Sequence, residues 1–253
     1  MRNYNEEHKD NEGRKYTYKF DKLMYGYIMK SFEPFFKEGS VLELGSSKGE
    51  FTGLLIDHFD NVTCVEASKE AIEEAKDNLW FYTEYHLTTL GWSGLKFYNS
   101  TFEDVVLPKK YDNIILTHVL EHVDNPVALL RKIKDEWLAD GGHLFIVVPN
   151  ANAASRQIAV KMGIIPYETA VIPSEAEQGH KRTYTYWNLD DDVIDAGLNT
   201  IHQSGIFFKA FANFQWDQIL DTDIISKEYL DGCYELGRKY PDLSSSILLV
   251  CKK

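Results

Sequence analysis

Short apolar runs alternate with helical segments through the middle of the chain, and this alternation constrains the fold more than any other feature. Each run has the length of a strand, and the segments between them carry apolar residues on one helical face. Continuous apolar runs are typical of strands that helices cover on both faces. The sequence therefore predicts a doubly wound α/β fold with a mostly parallel sheet. The predicted strands are Ser40–Leu44, Val62–Val65, Leu95–Tyr98, Asn113–Leu116 and His143–Val148.

The rhythm changes after Pro149. Residues 150–186 contain helical and loop material without a clear strand, and we expect them, with residues 215–238, to form a partial cap over the sheet. The stretch 81–94 is longer than a usual helix-to-strand connection, so an extra turn is predicted there. The later predicted elements are a helix near Leu189–Ala196, a strand near Gly205–Phe211, a helical region over 215–238 and a last strand at Ser246–Cys251.

A glycine turn follows the first predicted strand. Gly45 and Gly49 flank Ser46-Ser47-Lys48 in the pattern E-x-G-x-x-x-G, and glycines at a strand-to-helix turn let the backbone approach a ligand closely. Glu66 ends the second strand, 21 positions after Gly45, where an acid can bind both hydroxyls of a ribose. The third glycine of a dinucleotide-binding fingerprint is absent, and so is the Gly-Lys-Ser/Thr of a phosphate-binding loop.

This pattern resembles the first motif of the class I S-adenosylmethionine-dependent methyltransferases. The resemblance extends through Glu66, through Asn99–Asp104 and through Thr117–Pro126, a run that is similar to the small-molecule methyltransferases of ubiquinone biosynthesis. Each motif alone is weak evidence for this family, but four motifs in order at fitting intervals are strong evidence. The resemblance implies a Rossmann-like, seven-stranded, mostly parallel sheet whose last strand is antiparallel, with S-adenosyl-L-methionine as the cofactor.

The resemblance also implies roles for the site residues. Glu43 would lie under the methionine ammonium, and Glu66 would bind the ribose hydroxyls. Thr101 stands where many relatives have an aspartate that contacts the adenine amino group, so a hydroxyl or the Phe102 backbone would serve instead. The remaining implied cofactor contacts are Gly45, Ser46 and Gly49 in the turn, Ala67 against the adenine, Phe102 at its edge, and Thr117 at the methionine end.

The N-terminal segment is predicted to be separate from the main domain. Residues 1–39 would form a polar tail and a helical lid, whereas residues 40–253 would form the methyltransferase domain. The lid would fold over the site and exclude water; simple packing of the helix on the sheet is an equally weighted alternative. The aromatic residues assigned to this lid are Tyr16, Tyr18, Phe20 and Tyr25.

Two histidines are candidate general bases for the removal of a proton from the acceptor. His118 follows the fourth strand, and His180 lies in the region that would shape the acceptor site at the carboxyl edge of the sheet. For His180, a structural role on the surface or at an interface has about the same weight. Arg182 would hold a carboxylate or phosphate, or would simply be solvated.

The run His118-Val119-Leu120-Glu121-His122 also matches H-x-x-E-H, an inverted zinc-protease motif. On a helix, both histidines would lie on one face, as a zinc site requires. The run begins at the end of an apolar strand, however, and no third ligand is apparent, so we expect no metal. The alternative is that Glu121 and His122 brace the loop by hydrogen bonds.

Composition narrows the choice of partner. A net charge of −12 disfavours sequence-independent binding to nucleic acid, and no apolar run approaches a membrane span. Cys64, Cys233 and Cys251 have no metal-binding or disulfide spacing, and the polar N-terminus resembles no signal peptide. We therefore expect a cytoplasmic protein with a small-molecule acceptor, as a monomer or a homodimer.

These features together predict an S-adenosylmethionine-dependent methyltransferase that acts on oxygen or nitrogen of a small molecule. One alternative is an NAD-dependent oxidoreductase or epimerase, which predicts a third glycine and usually a Tyr-x-x-x-Lys pair; neither is found. The other alternative is a methyltransferase fold that binds a ligand or partner without turnover, because the family has no universal catalytic residue.

Overall fold

A computed structural model describes residues 4–6, 18–90 and 94–253 of the chain, and within these ranges seven strands form one sheet. The strands are β1 (Val41–Leu44), β2 (Asn61–Glu66), β3 (Gly94–Asn99), β4 (Tyr111–Thr117), β5 (Leu138–Pro149), β6 (Asn199–Phe208) and β7 (Ser244–Lys252). Their order is β3-β2-β1-β4-β5-β7-β6. The first five strands pair in parallel, and β7 is antiparallel to both β5 and β6. The prediction of a mostly parallel sheet with an antiparallel last strand is confirmed.

Helices cover both faces of this sheet. They are α1 (Lys19–Phe32), α2 (Glu50–Ile56), α3 (Lys69–Leu90), α4 (Pro126–Lys132), α5 (Ala154–Lys161), α6 (Pro173–Glu177), α7 (Tyr186–Asp195), α8 (Asn213–Leu220) and α9 (Lys227–Lys239). A π-turn (Ile133–Trp137) extends α4, and 3₁₀ turns occupy Glu33–Phe35, Leu120–His122 and Pro241–Leu243. Among the described helices, none combines the length and the apolar composition that a bilayer span requires.

Alternate side chains of the strands enter two separate cores. Leu42 packs in the core that α4 and α7 cover, whereas Val41 packs in the core that α1, α2 and α9 cover. All four residues of β1 are buried, which explains the apolar run that predicts this strand. The sheet is thereby fixed from both sides, and its carboxyl edge holds the loops that follow β1, β2 and β4.

The structure differs from the sequence prediction at two elements. Residues 81–90 continue α3 as a helix, where an extra turn is predicted. Strand β6 begins at Asn199 and ends at Phe208, earlier than the predicted strand near 205–211. The first half of β6 has no apolar run because its residues alternate between exposed and half-buried positions. This half of the strand is defined by its backbone pairing with β7.

Helix α1 contributes to the core as well as to the cleft described below. Phe20 is buried against Phe207 and Trp216, with ring centroids 5.4 and 5.3 Å away, so this part of the segment packs on the sheet and on α8. Tyr25 lies on the same helix and lines the cleft. The proposed lid residue Tyr16 lies outside the described residues. Within the described part of the chain, the predicted lid is therefore mainly a packed helix, and Tyr25 is its contribution to the cleft.

Candidate functional site

The glycine turn after β1 has a backbone conformation that favours glycine. Gly45 and Gly49 both have φ of 79°, and Ser47 between them has φ of 46°. A side chain at Gly45 would place its Cβ 2.8 Å from Cγ2 of Val119, in the loop after β4. The Gly45 N–H donates to the carbonyl of Val65 at 2.9 Å, which fixes the turn against β2. The turn therefore brings bare backbone to the carboxyl edge of the sheet.

Gly49 has a different neighbour. A Cβ at this position would lie 2.8 Å from Cδ1 of Leu79 and 3.1 Å from Cβ of Ala75, both on α3. Gly49 is also the residue before the first turn of α2. Its missing side chain therefore allows α2 and α3 to pack closely, and nothing in these contacts gives it the ligand-facing role that the resemblance implies.

Glu66, at the end of β2, is held at both carboxylate oxygens. Oε2 accepts a hydrogen bond from the Ser47 N–H at 3.1 Å, and Oε1 accepts one from the Ser68 N–H at 2.8 Å. The Ser68 hydroxyl in turn caps α3 by accepting from the Ala71 N–H at 3.1 Å. The carboxylate that the sequence assigns to a ribose therefore lies beside the glycine turn in a fixed orientation.

Glu43 is buried under the turn. Its Oε2 accepts a hydrogen bond from the Thr52 hydroxyl at 2.6 Å and one from the Cys64 thiol at 3.5 Å. Burial raises the pKa of Glu43 to about 7, although both hydrogen bonds favour the charged form. A nearby cation such as an ammonium group would stabilise the carboxylate in this position.

A cleft opens between the ends of β1 and β4, where the order of strands reverses direction. Open α/β sheets bind ligands at this switch point. Two residues that line the cleft have buried hydroxyls without a hydrogen-bond partner among the described residues: Ser46 (Oγ) and Thr117 (Oγ1). Buried hydroxyls normally have a partner, so these two are available to a ligand. The cleft is lined by Tyr25, Glu43, Leu44, Gly45, Ser46, Ser47, Lys48, Glu50, Phe51 and Thr117.

The loops after β2 and β3 form the far side of the site. The Asn99 amide donates to the carbonyls of Glu66 and Ala67 at 3.2 and 2.9 Å, so it joins the two loops. The Thr101 hydroxyl donates to the Asp104 carboxylate at 2.9 Å and accepts from the Asp104 N–H at 3.2 Å. This hydroxyl is therefore engaged in a local turn, at the position to which the sequence resemblance assigns the adenine contact.

Phe102 lies between this loop and the glycine turn. Its Cζ would be 3.8 Å from a Cβ at Gly45, and its ring packs against the core. The Lys132 ammonium binds the carbonyl of Phe102 at 3.0 Å and that of Glu103 at 2.6 Å. The loop is thus anchored to α4 through its carbonyl groups, which leaves the aromatic ring of Phe102 beside the turn.

The H-x-x-E-H run forms a compact loop after β4. His118 has φ of 54°, and residues Leu120–His122 make one 3₁₀ turn. Glu121 is only 1% exposed, and His118 Nδ1 lies 3.5 Å from its Oε1. Burial opposes the charge of Glu121, but the histidines around it (His118, His122 and His180) outweigh burial and lower the pKa of the carboxyl group below its usual value.

The segment that contains His180 is fixed against this loop. The Lys181 N–H donates to the carbonyl of Glu121 at 2.9 Å, and the Arg182 guanidinium donates to the carbonyls of Val123 and Asp124 at 2.8 and 3.1 Å. Arg182 therefore braces the loop. Burial lowers the pKa of His180 to about 4, so its ring is neutral at pH 7 and is a weak base there.

The structure thus gathers most of the predicted site residues at one edge. Glu43, Gly45, Ser46 and Thr117 line the cleft, with Glu66, Ala67 and Phe102 at its far side, His118 beyond Thr117, and His180 against the next turn. Sequence reasoning gave no role at the site to four residues that position them, although Ser68 is recognisable as a helix cap: Ser68, Asn99, Asp104 and Lys132. Asn99 and Asp104 belong to a motif that the sequence identifies, so their polar side chains could have indicated that they position the neighbouring loops.

Comparisons with known proteins agree with this geometry. A model of the methyltransferase domain family matches residues 16–203, about three quarters of the chain. The (S)-coclaurine N-methyltransferase of Thalictrum flavum subsp. glaucum is 36% identical over 118 residues. That match covers 44% of this chain and 29% of the enzyme, so the chain matches less than a third of the length of this curated relative.

Solved structures share the fold across nearly the whole chain. A methyltransferase of Thermotoga maritima, described as S-adenosylmethionine-dependent and as a possible histamine N-methyltransferase, superposes with a TM-score of 0.59. It is 17% identical, with coverage of 90% of this chain and 88% of its own. The [4+2]-cyclase SpnF also has a TM-score of 0.59, at 15% identity, with coverage of 92% and 81% respectively.

The family match and the fold together identify the cofactor as S-adenosyl-L-methionine. In the structure, Gly45 lies in the turn after β1 and Glu66 ends β2, both at the carboxyl edge of the sheet. The chain therefore belongs to the methyltransferase domain family and has the class I S-adenosylmethionine-dependent methyltransferase fold.

Proposed function

We propose that this protein transfers the methyl group of S-adenosylmethionine to an oxygen or nitrogen of a small-molecule acceptor. The observation that carries the proposal is the position of Glu66. Its carboxylate is fixed between the Ser47 and Ser68 N–H groups, directly beside the glycine turn that lines the cleft. The curated relative is named for N-methylation of a small molecule, which supports an acceptor of this class.

The residues present fit the cofactor. The two hydroxyls without partners in the described structure, Ser46 Oγ and Thr117 Oγ1, supply polar contacts beside the Gly45 backbone, and Glu43 lies below them. Glu66 would bind the ribose hydroxyls, and Phe102 would pack at the adenine. S-adenosylmethionine supplies a methyl group that its sulfonium already activates, so the protein's main task is alignment of the acceptor.

Residues beyond Thr117 would act on the acceptor. His118 lies next to Thr117, and its Nδ1 lies 3.5 Å from Glu121 Oε1, a contact that would orient the ring. It is therefore the better placed of the two candidate bases, since His180 is a weak base at pH 7. Tyr25 and Phe51, with ring centroids 5.8 Å apart, would shield the other side of the cleft from water.

Incubation with S-adenosylmethionine and a panel of acceptors tests this function. The panel would contain secondary amines, including coclaurine, and phenols, and the readout would be acceptor-dependent release of S-adenosylhomocysteine with mass detection of the methylated product. Glu66→Ala provides the control for cofactor-dependent turnover. Calorimetry with S-adenosylmethionine, S-adenosylhomocysteine and NAD separates the alternatives. Tight NAD binding without response to the other two would contradict the proposal, and cofactor binding without turnover on any acceptor would favour a non-catalytic role.

A further inference from the structure

One side-chain cluster at the carboxyl edge has no role in cofactor binding. Glu121, His122 and His180 each offer one ligand atom, and these atoms all lie within 4.8 Å of one another. His122 and Glu121 come from the 3₁₀ turn after β4, whereas His180 comes from the segment between α6 and α7. We propose that these three residues bind a divalent first-row transition metal ion, such as Zn²⁺ or Co²⁺.

The state of Glu121 is the first argument. Its side chain is 1% exposed, and within the described residues neither carboxylate oxygen has a hydrogen-bond partner. Burial of a carboxylate is costly unless the charge is paired and its lone pairs are satisfied. The contact from His118, at 3.5 Å, reaches one oxygen only. A cation between Glu121 and the histidines would satisfy the carboxylate.

The donor set determines the class of metal. Two imidazoles and one carboxylate form a set that zinc enzymes use with an open position for water or substrate. Imidazole nitrogen favours zinc and its transition-metal neighbours, whereas Mg²⁺ and Ca²⁺ prefer oxygen donors. Donor atoms on a tetrahedral zinc ion lie about 3.3 Å apart, as bonds of about 2.0–2.1 Å imply. Small side-chain rotations therefore suffice to bring the three atoms onto one ion.

The backbone around the cluster already holds these ligands in place. The Lys181 N–H donates to the carbonyl of Glu121 at 2.9 Å, and the Arg182 guanidinium donates to the carbonyl of Val123 at 2.8 Å. These two hydrogen bonds join the segment that contains His180 to the loop that contains Glu121 and His122. The rings of His122 and His180 meet edge to face, with centroids 4.6 Å apart. Both rings are half-buried, which leaves a path for an ion from solvent.

The sequence alone predicts no metal because no third ligand is apparent beside the H-x-x-E-H run, and the fold supplies that ligand. In the structure, only Leu120–His122 of this run form a 3₁₀ turn, and His118 precedes it with φ of 54°, so the two histidines of the motif do not share a helical face. In the fold, His180 is the third ligand, and His118, whose Nδ1 lies 3.5 Å from Glu121 Oε1, does not belong to the group of three. The chelating set is therefore Glu-His-His across two segments.

A consequence for catalysis rests on the proposed function. Glu121 and His122 follow Thr117 in the same loop, and His180 packs against His122, at the edge where the acceptor would enter. A metal ion there would bind a hydroxyl oxygen of the acceptor and lower its pKa, as zinc does for water. A hydroxyl acceptor is then favoured over an amine, since coordination would occupy the only lone pair of an amine.

Cobalt binding tests the site without any activity assay. Tag-free protein is treated with EDTA, dialysed and titrated with Co²⁺, and the visible d–d absorption reports coordination. We expect one equivalent to bind. His180→Ala and His122→Ala should each weaken binding by more than about 100-fold, because loss of an outer-sphere partner alone costs 10–100-fold. His58→Ala is the matched control: this histidine pairs with Glu33 at 3.5 Å, away from the cluster, and the change should leave Co²⁺ affinity unaltered.

Binding of S-adenosylhomocysteine by each variant serves as the check on folding. Retained S-adenosylhomocysteine binding with lost Co²⁺ binding supports the site. Absence of stoichiometric Co²⁺ binding in the wild type, or Co²⁺ binding that neither cluster substitution changes, overturns it. If Co²⁺ binds as expected and S-adenosylhomocysteine does not bind the wild type, the metal site stands and the proposed methyl transfer fails, so the two proposals are separable.

Discussion

The Glu66 carboxylate accepts a hydrogen bond from the backbone N–H of Ser47 at 3.1 Å, so the acid after β2 and the glycine turn after β1 are joined in the protein itself. Glu66 is the last residue of β2 and Ser47 lies in the turn after β1, and the parallel pairing of β1 with β2 brings them together. Recognition of the ribose and of the amino-acid part of the cofactor would therefore be coupled through one hydrogen bond.

The first prediction concerns this acid. Glu66→Ala should weaken S-adenosylhomocysteine binding by roughly 100-fold, because it would remove the two hydrogen bonds that we propose between this carboxylate and the ribose hydroxyls. Calorimetry measures the change. The exposed carboxylate of Glu103, in the loop after β3, provides the control: Glu103→Ala should bind normally. A 2′-deoxyribose analogue sharpens the test, since it should lose affinity for the wild type and much less for Glu66→Ala. Equal affinity of wild type and Glu66→Ala would refute the ribose assignment.

The second prediction concerns the Thr117 hydroxyl, which has no hydrogen-bond partner within the described chain. Thr117→Val keeps the shape of the side chain and removes the hydroxyl, so the free energy of unfolding should stay constant or rise by up to about 1 kcal/mol. Affinity for S-adenosylhomocysteine should fall about fivefold to tenfold, the equivalent of one hydrogen bond. Urea unfolding and calorimetry measure the two quantities.

Thr52→Val is the matched control for that change. The Thr52 hydroxyl donates to Glu43 at 2.6 Å, so its loss should cost about 1–3 kcal/mol of stability. Opposite effects of the two valine substitutions on stability would indicate that one hydroxyl serves the fold and the other serves a ligand. A stability loss at Thr117 as large as that at Thr52 would mean that the Thr117 hydroxyl has a structural partner after all.

Much of the fold could be predicted from the sequence because the central strands are buried on both faces. The burial of every residue in β1 is the physical cause of its apolar run. The first half of β6 escaped prediction because its residues alternate between exposed and half-buried positions, and only pairing with β7 reveals it. Local patterns thus identify strands that burial specifies, and they miss strand ends that a neighbour specifies.

The site divides in the same way. Gly45 and Glu66 are recognisable because a turn and an acid at a fixed interval are encoded in consecutive elements. The proximity of His180 to Glu121 was not recognisable, because it depends on the Lys181–Glu121 backbone hydrogen bond between residues 60 positions apart. Gly49 illustrates a second limit of sequence patterns. It belongs to the E-x-G-x-x-x-G pattern, but the structure shows that its missing side chain makes room for Leu79 on α3.

The third prediction concerns Glu43 and pH. Its pKa is about 7 in the folded protein against a usual 4.5, so the folded state holds a proton that the unfolded state releases between these values. This contribution to stability is therefore fully present below pH about 4.5 and is lost as pH rises through about 7, by up to about 1.4 kcal/mol per pH unit. Glu43→Gln cannot titrate, so its advantage over the wild type should grow over this window.

Urea unfolding of the ligand-free protein at several pH values measures that difference. Glu103→Gln replaces an exposed carboxylate and should parallel the wild type at every pH, which makes it the control. A difference between wild type and Glu43→Gln that stays constant from pH about 4.5 to about 8 would show that Glu43 has an ordinary pKa in the folded state.

Helix α9 and strand β6 approach each other without intervening side chains. A Cβ at Gly237 would lie 2.5 Å from the backbone nitrogen of Phe207, and a Cβ at Gly205 would lie 2.5 Å from the carbonyl oxygen of Gly237. Phe207 itself has φ of 61° and is fully buried. Because these atoms belong to the backbone, they cannot rotate away as a flexible side chain would.

The fourth prediction follows from this contact. Gly237→Ala should lower the free energy of unfolding by about 1–3 kcal/mol or more, because the added methyl group must push α9 away from the sheet. Gly232→Ala is the matched control on the same helix: among the described residues, no atom beyond the neighbouring backbone of α9 lies within 4 Å of its added Cβ, so the better helix propensity of alanine should raise stability by about 0.5–1 kcal/mol. Urea unfolding of both variants measures this difference in sign. A stabilising effect of Gly237→Ala would mean that α9 is not packed directly on the β6 backbone.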